Sequence, residues 1–197
     1  MIMIGLTGSI GMGKSAVSAM FRQMGVPVFD ADAAVHILQG PGGSLLPAIE
    51  ARFPGTTGGG GVDRQKLGAA VLGKPDALKA LERIVHPAVG RMRGRWLRRN
   101  RSRPLVVLDI PLLFEKKGWK SVDIIVVISA PAWMQRKRVL ARPGMTAAKF
   151  RRILALQTPD SEKRRRADFV IGTGCVRDRT QAQLRRLVAC LRAKRSG

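Results

Sequence analysis

Apolar residues fall into five short continuous runs along the chain: Ile2–Leu6, Val26–Phe29, Leu105–Ile110, Asp123–Ile128 and Asp168–Ile171. Runs of this length, rich in Ile, Val and Leu and without strict alternation, fit strands buried on both faces of a parallel sheet. Between them the period changes to three and four residues. Ser15–Met24 reads as a helix, and Asp178–Lys194 places Leu184, Leu187, Val188 and Leu191 on one helical face, predicted to pack on the sheet. The alternation predicts a doubly wound α/β fold, a five-stranded parallel sheet flanked by helices. Its crossovers are right-handed, and its ligands gather at the carboxyl ends of the strands.

One interval does not alternate. About 75 residues between Phe29 and Leu105 look helical, broken by Gly40-Pro41-Gly42-Gly43 and by Gly58–Gly61. They predict a helical subdomain inserted over the sheet edge, with Gly58–Gly61 a mobile surface loop. His86 precedes Pro87, which predicts that a helix ends there and turns the imidazole outward. A further helical stretch, Ala132–Gln157, carries Arg136, Lys137, Arg138 and Arg142 and then Pro143-Gly144, at the place of a lid. No internal repeat is visible.

The first strand runs into Gly8-Ser9-Ile10-Gly11-Met12-Gly13-Lys14-Ser15, a complete G-x-x-x-x-G-K-[ST] phosphate-binding loop between a strand and a helix. Its glycines let successive N–H groups curl inward as an anion nest at a helix N-terminus. Lys14 then reaches the β- and γ-phosphates of a nucleotide, and the Ser15 hydroxyl takes a place on Mg²⁺.

Two further strand ends carry acids. Phe29-Asp30-Ala31-Asp32 closes the second strand and opens a helix. Asp30 is expected to cap that helix, and Asp32 to accept a proton from an acceptor hydroxyl or to hold it in line, with simple capping the alternative. Val106-Val107-Leu108-Asp109 is an apolar strand ending in an acid, the pattern that holds Mg²⁺ through water. The next residues, Ile110-Pro111-Leu112-Leu113-Phe114-Glu115, are unusually apolar for a loop. They allow a hydrophobic wall facing a substrate, with ordinary packing the alternative for Leu112 and Leu113. Arg138 and Arg142 are four apart, hence expected on one helical face, where lid arginines can neutralise a moving phosphoryl group. A solvated basic helix accounts for that spacing equally well. His36 and His86 have no metal-type partner at a suitable spacing.

Charge adds a question rather than an answer. The 197 residues carry a formal net charge of +23. Arg91, Arg93, Arg95, Arg98, Arg99, Arg101 and Arg103 follow one another with no acid among them, and Lys163-Arg164-Arg165-Arg166 form a second run. Such surfaces attract polyanions, so weak non-specific binding of nucleic acid is allowed, and a solvated helix face is the plainer reading of 91–103. A nucleic-acid module with a vestigial phosphate loop fits less well, because the chain has no tyrosine and no aromatics interleaved with its basic residues. Cys175 and Cys190 form no metal-type spacing, and no stretch reaches the length of a membrane span. A soluble cytoplasmic protein without an obligate protein partner is the expectation.

Taken in order, Gly8–Ser15, Asp30-Ala31-Asp32, His86-Pro87, Asp109–Glu115, Arg138 with Arg142, Gln157 and Lys163 through Ala167-Asp168 resemble dephospho-coenzyme A kinase over nearly the whole chain. The resemblance implies a P-loop, nucleoside-monophosphate-kinase-like fold. It divides the chain into a core (about 1–31, 104–131 and 158–197), a helical substrate subdomain (about 32–103) and a lid (about 132–157). It implies that Mg·ATP phosphorylates the ribose 3′-hydroxyl of dephospho-coenzyme A, the last step of coenzyme A synthesis. Carried over by position, Gly8 and Gly11–Ala16 (Gly11, Met12, Gly13, Lys14, Ser15, Ala16) hold ATP, Ser15 and Asp109 hold the metal, and Asp32 is the base. Arg138 and Arg142 become the lid arginines, and His86, Leu112 and Phe114 join Asp32 at the substrate. Without the resemblance, another P-loop nucleoside or nucleoside-monophosphate kinase fits the residues as well. Three positions depart from the family pattern: Ala16 replaces a second hydroxyl residue, Pro143 follows Arg142 where an acid is common, and Gly172-Thr173 replaces Asp-Asn. Backbone contacts are therefore expected to serve the adenine near Thr173.

Overall fold

The computed structural model describes residues 1–193 and divides into two compact units. The first joins residues 1–29 to 100–197, of which 194–197 lie outside the described residues. Its strands are β1 (Ile2–Thr7), β2 (Val28–Asp30), β5 (Leu105–Asp109), β6 (Ile124–Ser129) and β7 (Phe169–Gly172), in the order β2-β5-β1-β6-β7. Recorded pairings are parallel, with Leu6 opposite Asp109 and Ser129 opposite Gly172. Each predicted run thus became a strand of one five-stranded parallel sheet, shifted by a residue or two at its ends.

The reason is burial on both faces. All five residues of β5 are buried, and Ile4 and Leu6 of β1 are fully inaccessible. At about 25 cal/mol per Å² of apolar surface, each such side chain contributes on the order of 2 kcal/mol. Helix α1 (Lys14–Gln23) packs against α9 (Arg177–Ala193) on this sheet. Leu184, Leu187, Val188 and Leu191 are buried in the same core as Val17, Met20 and Phe21. The helix expected to reach Lys194 is seen through Ala193, and Lys194 lies outside the described residues.

Within the same unit, the predicted lid stretch is two helices, α6 (Ala132–Leu140) and α7 (Ala147–Ala155). Thr146 caps α7 by accepting from Lys149 N at 3.2 Å. A short α8 (Asp160–Arg165) leads into β7.

The second unit, residues 30–99, holds α2 (Ala31–Gln39), α3 (Leu46–Arg52), β3 (Thr57–Gly58), β4 (Gly61–Val62), α4 (Arg64–Val71) and α5 (Pro75–Arg99). Its own core gathers Leu45, Ile49, Phe53, Leu67 and Ala88. Two expectations fail here. Gly58–Gly61 is the turn of a small antiparallel hairpin, pairing Gly58 with Gly61 and Thr57 with Val62. Glu50 anchors it, accepting from Gly55 N at 2.6 Å and from the Thr57 hydroxyl at 2.6 Å. These bonds, the Thr57 hydroxyl foremost, hold its carboxyl below the ordinary glutamate value.

The helix also does not end at His86. α5 continues through Pro87 for another three turns. Proline removes one hydrogen bond and costs about 3 kcal/mol inside a helix. Here the carbonyl so freed belongs to exposed Arg83, where water can serve it, while Leu81, Ile84, Val85 and Ala88 line the unit's core on the other face. Tertiary burial outweighs the local signal. His86 itself is exposed, as expected.

Candidate active site

The phosphate loop emerges from the carboxyl end of β1 and α1 begins at Lys14. Gly13 occupies the N-cap with φ +89°, and no side chain caps the helix. Ala16 N and Val17 N donate to Gly13 O at 3.1 and 3.3 Å, while no side chain takes the N–H groups of Lys14 and Ser15, which is the electrostatic condition for holding phosphate. A side chain at Gly13 would also place its Cβ 3.0 Å from the Thr173 hydroxyl, so glycine is required twice over.

Lys14 donates to Asp109 Oδ1, and the Ser18 hydroxyl donates to Asp109 Oδ2 at 2.6 Å. Asp109 is 2% exposed at the end of β5. A carboxylate so enclosed needs both partners, since an unpaired buried charge is costly. Lys14 is thus held at the mouth of the loop by the acid the sequence singled out. Ser18, one helical turn beyond Lys14, was not anticipated; an i, i+4 hydroxyl following the motif was its only signal.

The rest of the loop is clamped from the α6–β7 side. Ile10 N donates to Gln157 Oε1 at 3.1 Å, and Gln135 Nε2 donates back to Ile10 O at 2.8 Å. Ala130 N lies 3.1 Å from Met12 Sδ. The Thr173 hydroxyl donates to Met12 O at 2.6 Å. Thr173 also receives Arg138, whose Nη1 donates to the hydroxyl at 3.0 Å and Nη2 to the carbonyl at 2.7 Å. Gln135 and Thr173 are 6% and 7% exposed, and sequence reasoning did not assign either to the loop. A cavity of about 540 Å³ beside them is lined by Met12, Pro131, Gln135, Asp160 and Gly174.

Arg142 does not share a helical face with Arg138. α6 ends at Leu140, so Arg142 falls in the exposed turn before Pro143-Gly144. Ser15 and Ala16 are exposed on the first turn of α1. In the second unit, Asp30 caps α2 by accepting from Ala33 N at 3.0 Å, as expected. Asp32 is exposed in the first turn of that helix, and His36 Nδ1 lies 3.1 Å from its carbonyl.

The apolar segment after β5 splits. Leu112 is 38% exposed, whereas Leu113 and Phe114 are buried. Thr7 ties this segment to β1 by donating to Pro111 O at 3.0 Å. Glu115 accepts from Thr158 N at 2.8 Å and pairs with Lys163 Nζ at 2.9 Å. Burial acts to raise the Glu115 carboxyl, but the Lys163 ammonium and the backbone N–H groups outweigh it and hold the carboxyl below the usual glutamate value. Lys163 is fully buried and Arg166 stacks on Phe114 at 4.5 Å. The second basic run is therefore not the polyanion surface its composition predicts. Its first and last members are structural.

Among the described residues, no group of three or more His, Cys, Asp or Glu side chains could enclose a metal ion, and no helix is long and apolar enough to cross a membrane. Mg²⁺ needs few protein donors where phosphates and water complete its octahedron; the Ser15 hydroxyl stands on the exposed first turn of α1, and both Asp109 oxygens already accept from Lys14 and Ser18.

Comparison with known proteins shows the family. A family model described as CoaE, dephospho-CoA kinase, matches residues 2–178. A dephospho-CoA kinase of Novosphingobium aromaticivorans is 64% identical over 191 residues, covering 97% of this chain and 95% of the relative. One from Zymomonas mobilis is 54% identical over 97% of both chains. The crystal structure of TT1252 from Thermus thermophilus superposes with a TM-score of 0.86 at 35% identity, covering 96% of each chain. With the phosphate loop, its acid and its clamps in place, and with relatives this similar over almost their full length, the chain belongs to the dephospho-CoA kinase family.

Proposed function

We propose that this chain transfers the γ-phosphoryl group of ATP to the ribose 3′-hydroxyl of dephospho-coenzyme A, giving coenzyme A and ADP. The observation that carries the reading is the Lys14–Asp109–Ser18 arrangement under a phosphate loop whose helix start lacks any side-chain cap. Lys14 leaves one buried carboxylate oxygen for the β- and γ-phosphates. Within Gly11–Ala16, with Gly8 at the loop's start, the N–H groups of Gly11, Gly13, Lys14 and Ser15 donate to the rest of the triphosphate, those of Met12 and Ala16 being engaged by Ser9 O and Gly13 O. Ser15, with Asp109 nearby, would hold Mg²⁺, which would supply charge neutralisation for the triphosphate. The acceptor oxygen forms its bond to phosphorus as the bond to the β–γ bridging oxygen breaks, and its proton passes to the Asp32 carboxylate. Arg138 and Arg142 add positive charge for the moving phosphoryl group. Leu112 offers apolar surface, and His86 a polar group, for the acceptor; Phe114, expected beside them, is buried under Arg166 and offers none.

The experiment is an acceptor comparison with purified protein, ATP and Mg²⁺. Dephospho-coenzyme A is expected to outpace adenosine, AMP and thymidine monophosphate at equal concentration. A nucleoside monophosphate winning that comparison makes the chain another P-loop nucleotide kinase. Replacing Asp32 with asparagine is expected to lower kcat by about 10²–10⁴-fold, with ATP affinity little changed.

A further inference from the structure

Thr173 stands outside the phosphate motif and where the family pattern has a different residue, yet it bonds both to the loop and to Arg138. Its hydroxyl hydrogen is committed to Met12 O at 2.6 Å, while its oxygen accepts from Arg138 Nη1 at 3.0 Å. Its carbonyl accepts from Nη2 at 2.7 Å, and its own N–H donates to Ser129 O at 2.9 Å, extending the β6–β7 ladder by one residue. The residue is 7% exposed and held by four hydrogen bonds to the sheet, the loop and the arginine.

We propose that Thr173 is the positioning residue that joins Arg138 to the phosphate loop, so that the arginine and the loop's N–H groups face the nucleotide as one preorganised unit. This rests on the reading of Arg138 as a nucleotide-site cation.

Two consequences of the geometry support it. In a trans peptide the carbonyl and the following N–H point to opposite sides. By drawing Met12 O toward itself, the Thr173 hydroxyl turns Gly13 N–H to the opposite side of that peptide. The same hydroxyl stands 3.0 Å from where a Gly13 Cβ would lie, so the left-handed N-cap packs closely against Thr173. For Arg138, the two bonds to Thr173 use two of the five guanidinium donors and fix the plane of the fork, leaving three donors at defined directions. An arginine held in this way loses less side-chain freedom when charge develops beside it.

The test is a double-mutant cycle on the full chain. T173V keeps the shape and the carbonyl acceptor but removes both hydroxyl bonds; T173S keeps them. T173V is expected to lower kcat/KM for ATP by about 10- to 100-fold, the span of a hydrogen bond to a charged group, and to leave KM for dephospho-coenzyme A within about twofold. T173S is expected to recover most of that loss. In an R138A background, T173V should cost clearly less than in the native chain, because the arginine it positions is gone. An equal cost in both backgrounds overturns the proposal, since the hydroxyl then acts on Met12 alone. T173V with native kinetics beside a crippled R138A also overturns it. R138A with native kinetics instead removes the underlying reading of Arg138, a result the T173V arm does not produce.

Discussion

Two populations of cations share this chain, and they differ in what holds them. Lys14 rests on Asp109, Arg138 on Thr173, Lys163 on Glu115, and Arg166 on Phe114 and Glu162. Arg91, Arg95, Arg98, Arg99, Arg101 and Arg103 lie exposed along the end of α5 and the turn after it. Each cation of either population adds one unit to the formal net charge of +23. Only the first is fixed in direction, and a cation contributes to a site or a core through its direction and desolvation. Amount of charge says little; placement of charge says what the molecule can do.

Lys163 gives the largest contrast. Replacing it with methionine leaves the Glu115 carboxylate in a mostly buried position without its ammonium, at a cost of about 3–5 kcal/mol in urea-unfolding free energy. Arg91→Gln and Arg99→Gln are expected to stay within about 0.5 kcal/mol, as exposed substitutions do. The Lys163→Met, Glu115→Leu double variant should recover much of the loss, since it removes the stranded charge. If Lys163→Met unfolds at the native denaturant midpoint, the division between held and solvated cations fails.

Acid sharpens the same contrast by a smaller amount. Glu115 is held below its ordinary value in the folded chain, so its contribution to stability is present above the unfolded value, near pH ~4.3, and is lost as pH falls through the folded one. Urea midpoints measured from about pH 6 downward should fall through and below the ordinary glutamate range. In Glu115→Gln part of that slope should disappear. An unchanged slope assigns the acid sensitivity to other carboxylates.

The smallest expected effect on turnover belongs to the exposed arginines. Substituting Arg91, Arg95, Arg98 and Arg99 with glutamine should weaken binding to mixed-sequence RNA and flatten its salt dependence, because each phosphate contact contributes about one unit of slope. Phosphoryl transfer should change by less than about twofold, as for exposed side chains outside the residues assigned to the reaction. A large loss of transfer would move this helix end into the functional population.

How much of this was readable follows from where each partner lies. The five strands were legible because burial on both faces leaves continuous apolar runs, and the phosphate loop because all its determinants are consecutive residues. Asp30 as a cap and Asp109 as a strand-end acid were legible for the same local reason. Lys163 was not: its partner is far along the chain, and a lysine in a basic run carries no mark of burial. Thr173 could be seen only as a departure from a pattern, since its bonds run to Met12 and Arg138. Pro87 and Gly58–Gly61 misled because local preference was set against packing that the residues themselves do not display. Arg142 was misplaced because α6 stops two residues before it.

The central claim is that Lys14, held by Asp109 under an open phosphate loop, serves transfer of phosphate to a ribose hydroxyl. Phosphorus NMR of a reaction containing the purified protein, ATP, Mg²⁺ and dephospho-coenzyme A tests this most directly. A 3′-phosphomonoester resonance should grow in step with ADP in the native protein. With Lys14→Ala its rate should fall by about 10³-fold or more, while the variant unfolds at nearly the native urea midpoint. Growth of inorganic phosphate in place of the ester, or an undiminished ester signal from Lys14→Ala, would contradict the account.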